Sequence, residues 1–216
     1  MGLLIHHLRL SQSERIIWLC EELGVPYELK CYDRDSQTKL APAEYKALSP
    51  SQTSPVIQDG DITLAESAAC VEYIINRYGG GKLLVKPSEP NYAQFLYMWH
   101  YAQGSLQPAV TTSLLAGSLE GPMKGFVEYR KTTAYGILND QLAKSKYLAG
   151  DEFTAADILT LFYFTTMRLF LALDLSAWPH LLRWVGEVGG RPAYIKALEK
   201  GDPGFAPFVD AKGQGQ

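Results

Sequence analysis

Ser54-Pro55-Val56 and Glu66-Ser67 are the residues of this chain best suited to hold a small molecule, and Ser11 is the one best suited to act on it. A proline ahead of a short apolar run restricts the backbone of Ser54 and brings no N–H of its own. Its plain alternative is an ordinary trans proline opening an edge strand. Glu66-Ser67 follows eleven residues after Pro55, where a helical pattern begins. Free N–H groups and the helix dipole at such a start hold an anion, while a neighbouring carboxylate accepts from an ammonium. A ligand with both charges side by side suits the pair; first-turn capping is the alternative. Ser11 also precedes a helix. A hydroxyl there stabilises an anion forming beside it, for the reason that thiols at helix starts ionise readily. Ser13 is its rival, and either serine could instead cap the helix.

The elements that must position these residues follow from periodicity. Residues 3–8 form an apolar run that reads as a strand, with His6 and His7 pointing to opposite faces. One histidine is expected in the packing and the other near the surface, with no shared metal. Ile16, Leu19, Cys20 and Leu23 recur at helical spacing, and Gly24 with Pro26 ends that helix. Residues 27–32 form a second strand, so the opening is a strand-helix-strand unit with parallel strands. A short helix covers 42–48. Residues 55–57 and 62–64 make a hairpin through Asp59-Gly60, and a helix from Glu66 ends at Gly79. The first half is thus a small α/β domain, residues 1–81, followed by a Pro- and Lys-bearing linker at 82–91. Residues 92–204 read as all helical, with helices at 92–104, 127–142, 179–188 and 192–199. A central apolar helix begins near Thr154, with Asp157 placed to complete a capping box. Residues 205–216 read as a flexible tail.

Composition narrows the class. The chain has 216 residues, 47% hydrophobic and 20% charged, and a net charge of -3. That balance suits a globular protein and gives no basic face for nucleic acid or anionic membrane. The apolar stretch 158–175 contains Arg168 and Asp174, so it reads as a core helix rather than a membrane span. Cys20, Cys31 and Cys70 lack metal or redox spacing and, in apolar settings, are expected as buried free thiols in a reducing compartment. No secretory signal is evident, and the expected location is the cytoplasm.

Four points together carry a resemblance: Ser11 ahead of Arg15-Ile16-Ile17-Trp18, Ser54-Pro55-Val56, Glu66-Ser67, and the stretch from Gly150 to Asp157. In that order and spacing, over residues 4–203, the chain resembles the cytosolic glutathione transferases, serine type. The resemblance implies a thioredoxin-like α/β N-terminal domain plus an all-α C-terminal helical bundle domain. It implies a cis peptide before Pro55, with the Ser54 backbone on the cysteinyl part of glutathione. Glu66 and Ser67 would take the γ-glutamyl end, and Ser11, with Ser13 as alternate, would activate the thiol. It also implies a homodimer through the helices at 66–78 and 92–104.

The chain departs from the family pattern at one end of the ligand. A lysine commonly precedes the residue before the proline; here Gln52 and Thr53 stand there. The glycyl carboxylate is expected to rest on Gln52 and Thr53, or on Lys39, with a weaker grip. Tyr97, Tyr101, Ser105 and Pro108, with Phe162 or Met167, are candidates for a second, hydrophobic electrophile. An aromatic, apolar cavity suits such a substrate. The expected activity is conjugation, with reduction of organic hydroperoxides as a neighbouring one and detoxification as the setting. The alternative is a non-catalytic glutathione-binding or regulatory protein of the same fold. Glutathione is the implied co-substrate, and no metal is implied.

Overall fold

The computed structural model describes residues 2–114 and 116–212. In chain order the first stretch forms β1 (Leu3–Leu8), α1 (Glu14–Leu23), β2 (Glu28–Tyr32), α2 (Ala43–Lys46), β3 (Val56–Asp59), β4 (Ile62–Ala65) and α3 (Ser67–Arg77). The second forms α4 (Tyr92–Tyr101), α5 (Gln107–Ser113), α6 (Gly121–Leu142), α7 (Ala155–Leu161) and α8 (Pro179–Gly189). The last helix is α9 (Pro192–Gly201). The chain divides into two compact units.

The first unit is a four-stranded mixed sheet in the order β2-β1-β3-β4. β1 and β2 are parallel, with Leu4 opposite Glu28 and Leu8 opposite Tyr32. β1 and β3 are antiparallel, as are β3 and β4. This is a thioredoxin-like arrangement. Its core is built from alternating β1 side chains, Leu3 and Ile5, against Ile16, Ile17 and Leu19 of α1 and Val71, Ile74 and Ile75 of α3. Of the helical repeat read from the sequence, Ile16, Leu19 and Cys20 are buried and Leu23 half-buried, and α1 also encloses Glu14, Arg15, Ile17 and Trp18. Gly24 closes that helix with φ of 67°, a left-handed value glycine takes without penalty.

Two features of this unit differ from the sequence expectation. Both histidines are buried, not one, because β1 is an inner strand with neighbours on either side. His6 meets the Tyr32 hydroxyl at 2.8 Å and Gln58 at 3.0 Å, and His7 turns to the opposite side. Second, α9 groups with the sheet unit, which comprises residues up to Lys82 and Arg191–Ala206; its position in the sequence had assigned it to the helical half. Trp18 and Tyr194 pack with ring centroids 4.7 Å apart. Glu22 takes Arg191 bidentately at 2.6 and 2.8 Å, and Glu21 takes Lys196 at 2.6 Å and Lys200 at 2.5 Å. Side chains of α1 thus decide where α9 goes.

The second unit is the helical one. α4 runs past its expected end at 104 through a wide π turn at Ala102–Leu106 into α5. α6 starts earlier than expected, at Gly121. The expected central helix stops at Leu161 and continues as 3-10 turns at Phe162–Phe164 and Thr166–Leu169. Thr165 interrupts it with φ -120° and ψ -93°. The start of α7 is as read: the buried Asp157 carboxylate accepts from Thr154 N at 3.0 Å, Leu148 N at 3.1 Å and Trp184 Nε1 at 2.8 Å. Residues 207–212, expected as flexible, pack on this unit. Arg168 donates to the Asp210 carbonyl at 2.7 Å and Leu175 N to the Ala211 carbonyl at 2.8 Å. No helix among the described residues is long and apolar enough to cross a membrane.

Candidate functional site

The loop after β1 carries the first candidates. Leu10 holds φ of 53°, uncommon for a branched side chain, and its N–H donates to Asp202 Oδ1 at 2.8 Å. That contact turns the chain so that Ser11 faces inward. Ser11 Oγ lies 2.5 Å from the Leu8 carbonyl, 2.9 Å from Ser13 Oγ and 2.7 Å from Ser54 Oγ. Ser13 does not cap α1 with its hydroxyl. It meets His7 Nδ1 at 2.8 Å and is fully buried, whereas Ser11 keeps 5% of its surface exposed.

The peptide between Ser54 and Pro55 is cis, as the resemblance implied. Ser54 is half-buried, and Tyr45 lies beneath it in a small apolar cluster with Leu8, Tyr32 and Val56. Burial pushes the Tyr45 phenol up to about 12, with the Ser54 side chain drawing it back. Ser67 is the first residue of α3, and Glu66 ahead of it is exposed, with φ of 76° and ψ of 124°. A non-glycine residue in such a conformation costs energy and concentrates at ligand sites. Arg15, buried on α1, donates through Nη1 to Ser67 Oγ at 3.0 Å and also to the Gln12 side chain. It therefore holds the Ser11 loop against the start of α3.

Ser11, Ser13 and Ser54 are thus joined by direct hydrogen bonds, and Ser67 reaches their loop through Arg15. Gln52 and Thr53 are exposed on the turn ahead of Ser54, with Gln52 at φ 56° and Thr53 Oγ1 bonded to Ser51 Oγ at 3.0 Å. Lys39 is exposed on a separate loop, with φ of 59°. Arg34, not singled out from the sequence, joins that loop to the Ser11 loop. Its guanidinium donates to the carbonyls of Arg9 at 3.1 Å, Lys39 at 3.0 Å and Leu10 at 3.4 Å. Its only sequence signal was being an arginine in a polar loop. The pairing of His7 with Asp202 was not read from the sequence, because it spans nearly the whole chain.

In the helical unit, Tyr97, Tyr101 and Ser105 line one cavity of about 240 Å³ together with Arg130. The two tyrosine rings stack at 5.5 Å, and Tyr101 donates to the Ala134 carbonyl at 3.3 Å. Pro108 lines an adjoining cavity of about 260 Å³ with Phe126. Phe162 and Met167 are buried in the core of this unit and line neither.

Cys20 and Cys70 are buried free thiols pushed up to about 12 by desolvation, so neither ionises near neutrality. No cluster of His, Cys, Asp and Glu able to hold a metal occurs among the described residues.

Residues 11–77 match the model of the glutathione S-transferase N-terminal domain, and residues 123–192 match that of the C-terminal domain. The chain is similar to glutathione S-transferase 3 of Schizosaccharomyces pombe, with 33% identity over 92% of this chain and 87% of that protein. It is also similar to glutathione S-transferase 1 of Triticum aestivum, with 30% identity over 87% and 89% of the two chains. Among solved structures, a glutathione S-transferase from Actinobacillus pleuropneumoniae superposes with a TM-score of 0.84 and 29% identity over 93% of both chains. A sphingomonad glutathione S-transferase complexed with glutathione shares the fold, with a TM-score of 0.74 and 20% identity over 91% of this chain and 98% of that one.

Proposed function

Because the chain belongs to the glutathione S-transferase family, we propose that it is a serine-type transferase that uses Ser11 to activate the glutathione thiol. The observation that carries this reading is the 2.7 Å contact between Ser11 Oγ and Ser54 Oγ beside the cis peptide of Pro55. The candidate activator thereby sits against the residue expected to hold the cysteinyl part of the ligand. Ser13, enclosed and turned toward His7, is the weaker candidate.

In this reading the Ser54 backbone pairs with the cysteinyl unit. Glu66 accepts the γ-glutamyl ammonium, while the start of α3 at Ser67 takes its carboxylate. Ser11 donates to the sulfur as its proton leaves, stabilising the thiolate. The thiolate, held in place, attacks an apolar electrophile. Tyr97, Tyr101 and Ser105, with Pro108 nearby, offer such a substrate an aromatic cavity. Reduction of organic hydroperoxides by the same thiolate is a second activity of this site, and detoxification its setting. A cytoplasmic homodimer built on α3 and α4 completes the proposal.

A second reading, glutathione binding without turnover, is favoured by one observation: exposed Gln52 and Thr53, not a lysine, lead into the cis proline. Glutathione-affinity retention with conjugation and peroxidase assays on wild type and Ser11→Ala separates the two. Retention with turnover lost in Ser11→Ala is the expected result. Retention without turnover in the wild type selects the binding protein, and undiminished turnover in Ser11→Ala removes Ser11 from its role.

A further inference from the structure

Behind Ser11 lies a hydrogen-bonded chain that binding of glutathione alone does not require. Ser11 Oγ is 2.9 Å from Ser13 Oγ, Ser13 Oγ is 2.8 Å from His7 Nδ1, and His7 Nε2 is 3.1 Å from Asp202 Oδ2. His7 and Ser13 are wholly enclosed, and Asp202 is 4% exposed. The pair is assembled from the two ends of the sheet unit, β1 and the residue after α9. Gly201 fits closely over the imidazole: a β-carbon there would stand 2.9 Å from His7 Nε2 and 2.9 Å from Ile17 Cδ1.

Donor and acceptor chemistry gives the chain a direction. An ionised carboxylate only accepts, so Asp202 fixes the His7 proton on Nε2. Nδ1 of neutral His7 is then an acceptor, and its neighbour Ser13 must donate to it. The Ser13 lone pairs are left facing Ser11. A histidine backed by a carboxylate and facing a hydroxyl is the arrangement that lets imidazole take up a proton and be stabilised as its cation.

We propose that His7, paired with Asp202, receives the proton of the glutathione thiol through Ser13 and Ser11. This rests on the reading of Ser11 given above and supplies what that reading lacks, a destination for the proton. The Ser11 O–H, which at rest donates to the Leu8 carbonyl at 2.5 Å, swings to Ser13 Oγ as the thiol S–H donates to Ser11 Oγ, and the Ser13 O–H donates to His7 Nδ1. One proton moves along each link. The S–H bond breaks and an N–H bond forms at Nδ1, both serine hydroxyls are restored, and the site's net charge is unchanged. The products are a thiolate accepting from Ser11 and an imidazolium held by Asp202. The reverse path returns the proton to the anion that the electrophile releases. His7 acts through the two serines and does not itself touch substrate; Asp202 is its positioning residue.

Among the described residues, the charged and titratable groups near the pair include Arg9, Cys31, Asp33 and Arg34, with the buried Glu14 on α1 held by the Tyr194 hydroxyl at 2.9 Å. Arg9 donates to the Gly201 carbonyl and to Asp33, and Arg34 to the carbonyls of Arg9 and Leu10. Asp202 acts on both Cys31 and Arg34. Burial pushes the Cys31 thiol up.

The test reads the ultraviolet absorption of the thiolate of bound glutathione from about pH 5 to about pH 9. It uses wild type, Ser13→Ala, His7→Gln and Asp202→Asn, with glutathione binding measured by calorimetry on each. Expected is near-wild-type binding in Ser13→Ala and His7→Gln, with about tenfold less thiolate at neutral pH, a rise of about one pH unit in the midpoint. Asp202→Asn shifts in the same direction. Ser13→Ala removes one oxygen and leaves His7 in place, so it carries the test if the histidine variant does not fold. A folded Ser13→Ala with the wild-type titration overturns the relay and leaves the transferase reading intact. A wild type that binds glutathione without forming thiolate near neutrality also overturns the relay. A wild type that does not bind glutathione overturns both.

Discussion

Arg15 Nη1 donates to Ser67 Oγ at 3.0 Å, fastening the first turn of α1 to the first residue of α3. The same guanidinium nitrogen holds Gln12, next to Ser11. One buried cation therefore sets the separation between the proposed thiol activator and the proposed γ-glutamyl site. Arg15→Ala should destabilise the protein by about 1.5–3 kcal/mol, the range for hydrogen bonds to a charged group. The KM for glutathione should rise more than kcat falls, since the loss falls on ligand alignment. Denaturant melts and initial rates over a glutathione series check both.

Removing the Ser11 hydroxyl should lower kcat by about 10²–10³, the cost of losing one donor to a developing anion. Glutathione affinity should change little, because Ser54, Glu66 and Ser67 are untouched. Rates for Ser11→Ala beside calorimetric binding of glutathione give the comparison.

Thr53 is exposed on the turn before Ser54, within the stretch proposed to meet the glycyl carboxylate. Thr53→Lys should tighten glutathione roughly two- to fivefold, about 0.5–1 kcal/mol for a solvent-facing ion pair. An unchanged dissociation constant at low and moderate salt would show that the carboxylate is held elsewhere, with Lys39 the next residue to replace.

Glu21 links α1 to α9. Burial raises its carboxyl, but Lys196, Lys200 and the Tyr27 hydroxyl outweigh that and bring it down to about 2. An acid whose folded value lies below its unfolded one, 4.5 here, stabilises the fold above that unfolded value. The contribution is lost as pH falls from about 4.5 through about 2. Melting curves across that window should therefore fall more steeply for wild type than for Glu21→Gln.

Gly201 presses on His7, and a β-carbon there has no room. Gly201→Ala should cost about 1–3 kcal/mol through overpacking and displace the imidazole from Asp202 or Ser13. Thermal melts record the first effect. A lowered thiolate fraction in bound glutathione records the second.

The sheet unit was largely legible in the sequence, because its signals are local. An apolar run marks β1, Ile16, Leu19, Cys20 and Leu23 mark α1, and Asp59-Gly60 marks the hairpin. The helical unit was less so. The helix expected to end at 104 runs on through a π turn at Ala102–Leu106 into α5, which carries Pro108. Thr165 breaks the expected central helix, with its hydroxyl bonded to the Leu161 carbonyl at 3.2 Å. Nothing in the apolar pattern marks that break. The candidates Ser11, Ser54, Glu66 and Ser67 came from helix starts, a proline and the family resemblance, and the structure brings Ser11 against Ser54 and ties Ser67 to their loop through Arg15. The pairing of His7 with Asp202 was not legible, because they are 195 positions apart and each is unremarkable among its neighbours.

The sheet unit is sewn from two segments far apart in the chain, with Arg191–Ala206 returning to the segment that ends at Lys82. On the ribosome this sets an order. The strands and the serines emerge early, but Asp202, which contacts both Leu10 and His7, emerges only after α4 to α8. A nascent or truncated chain lacking Asp202 has the serines without the contacts that aim them. A premature stop before Asp202 would leave residues 1–190 in place and remove both of these contacts.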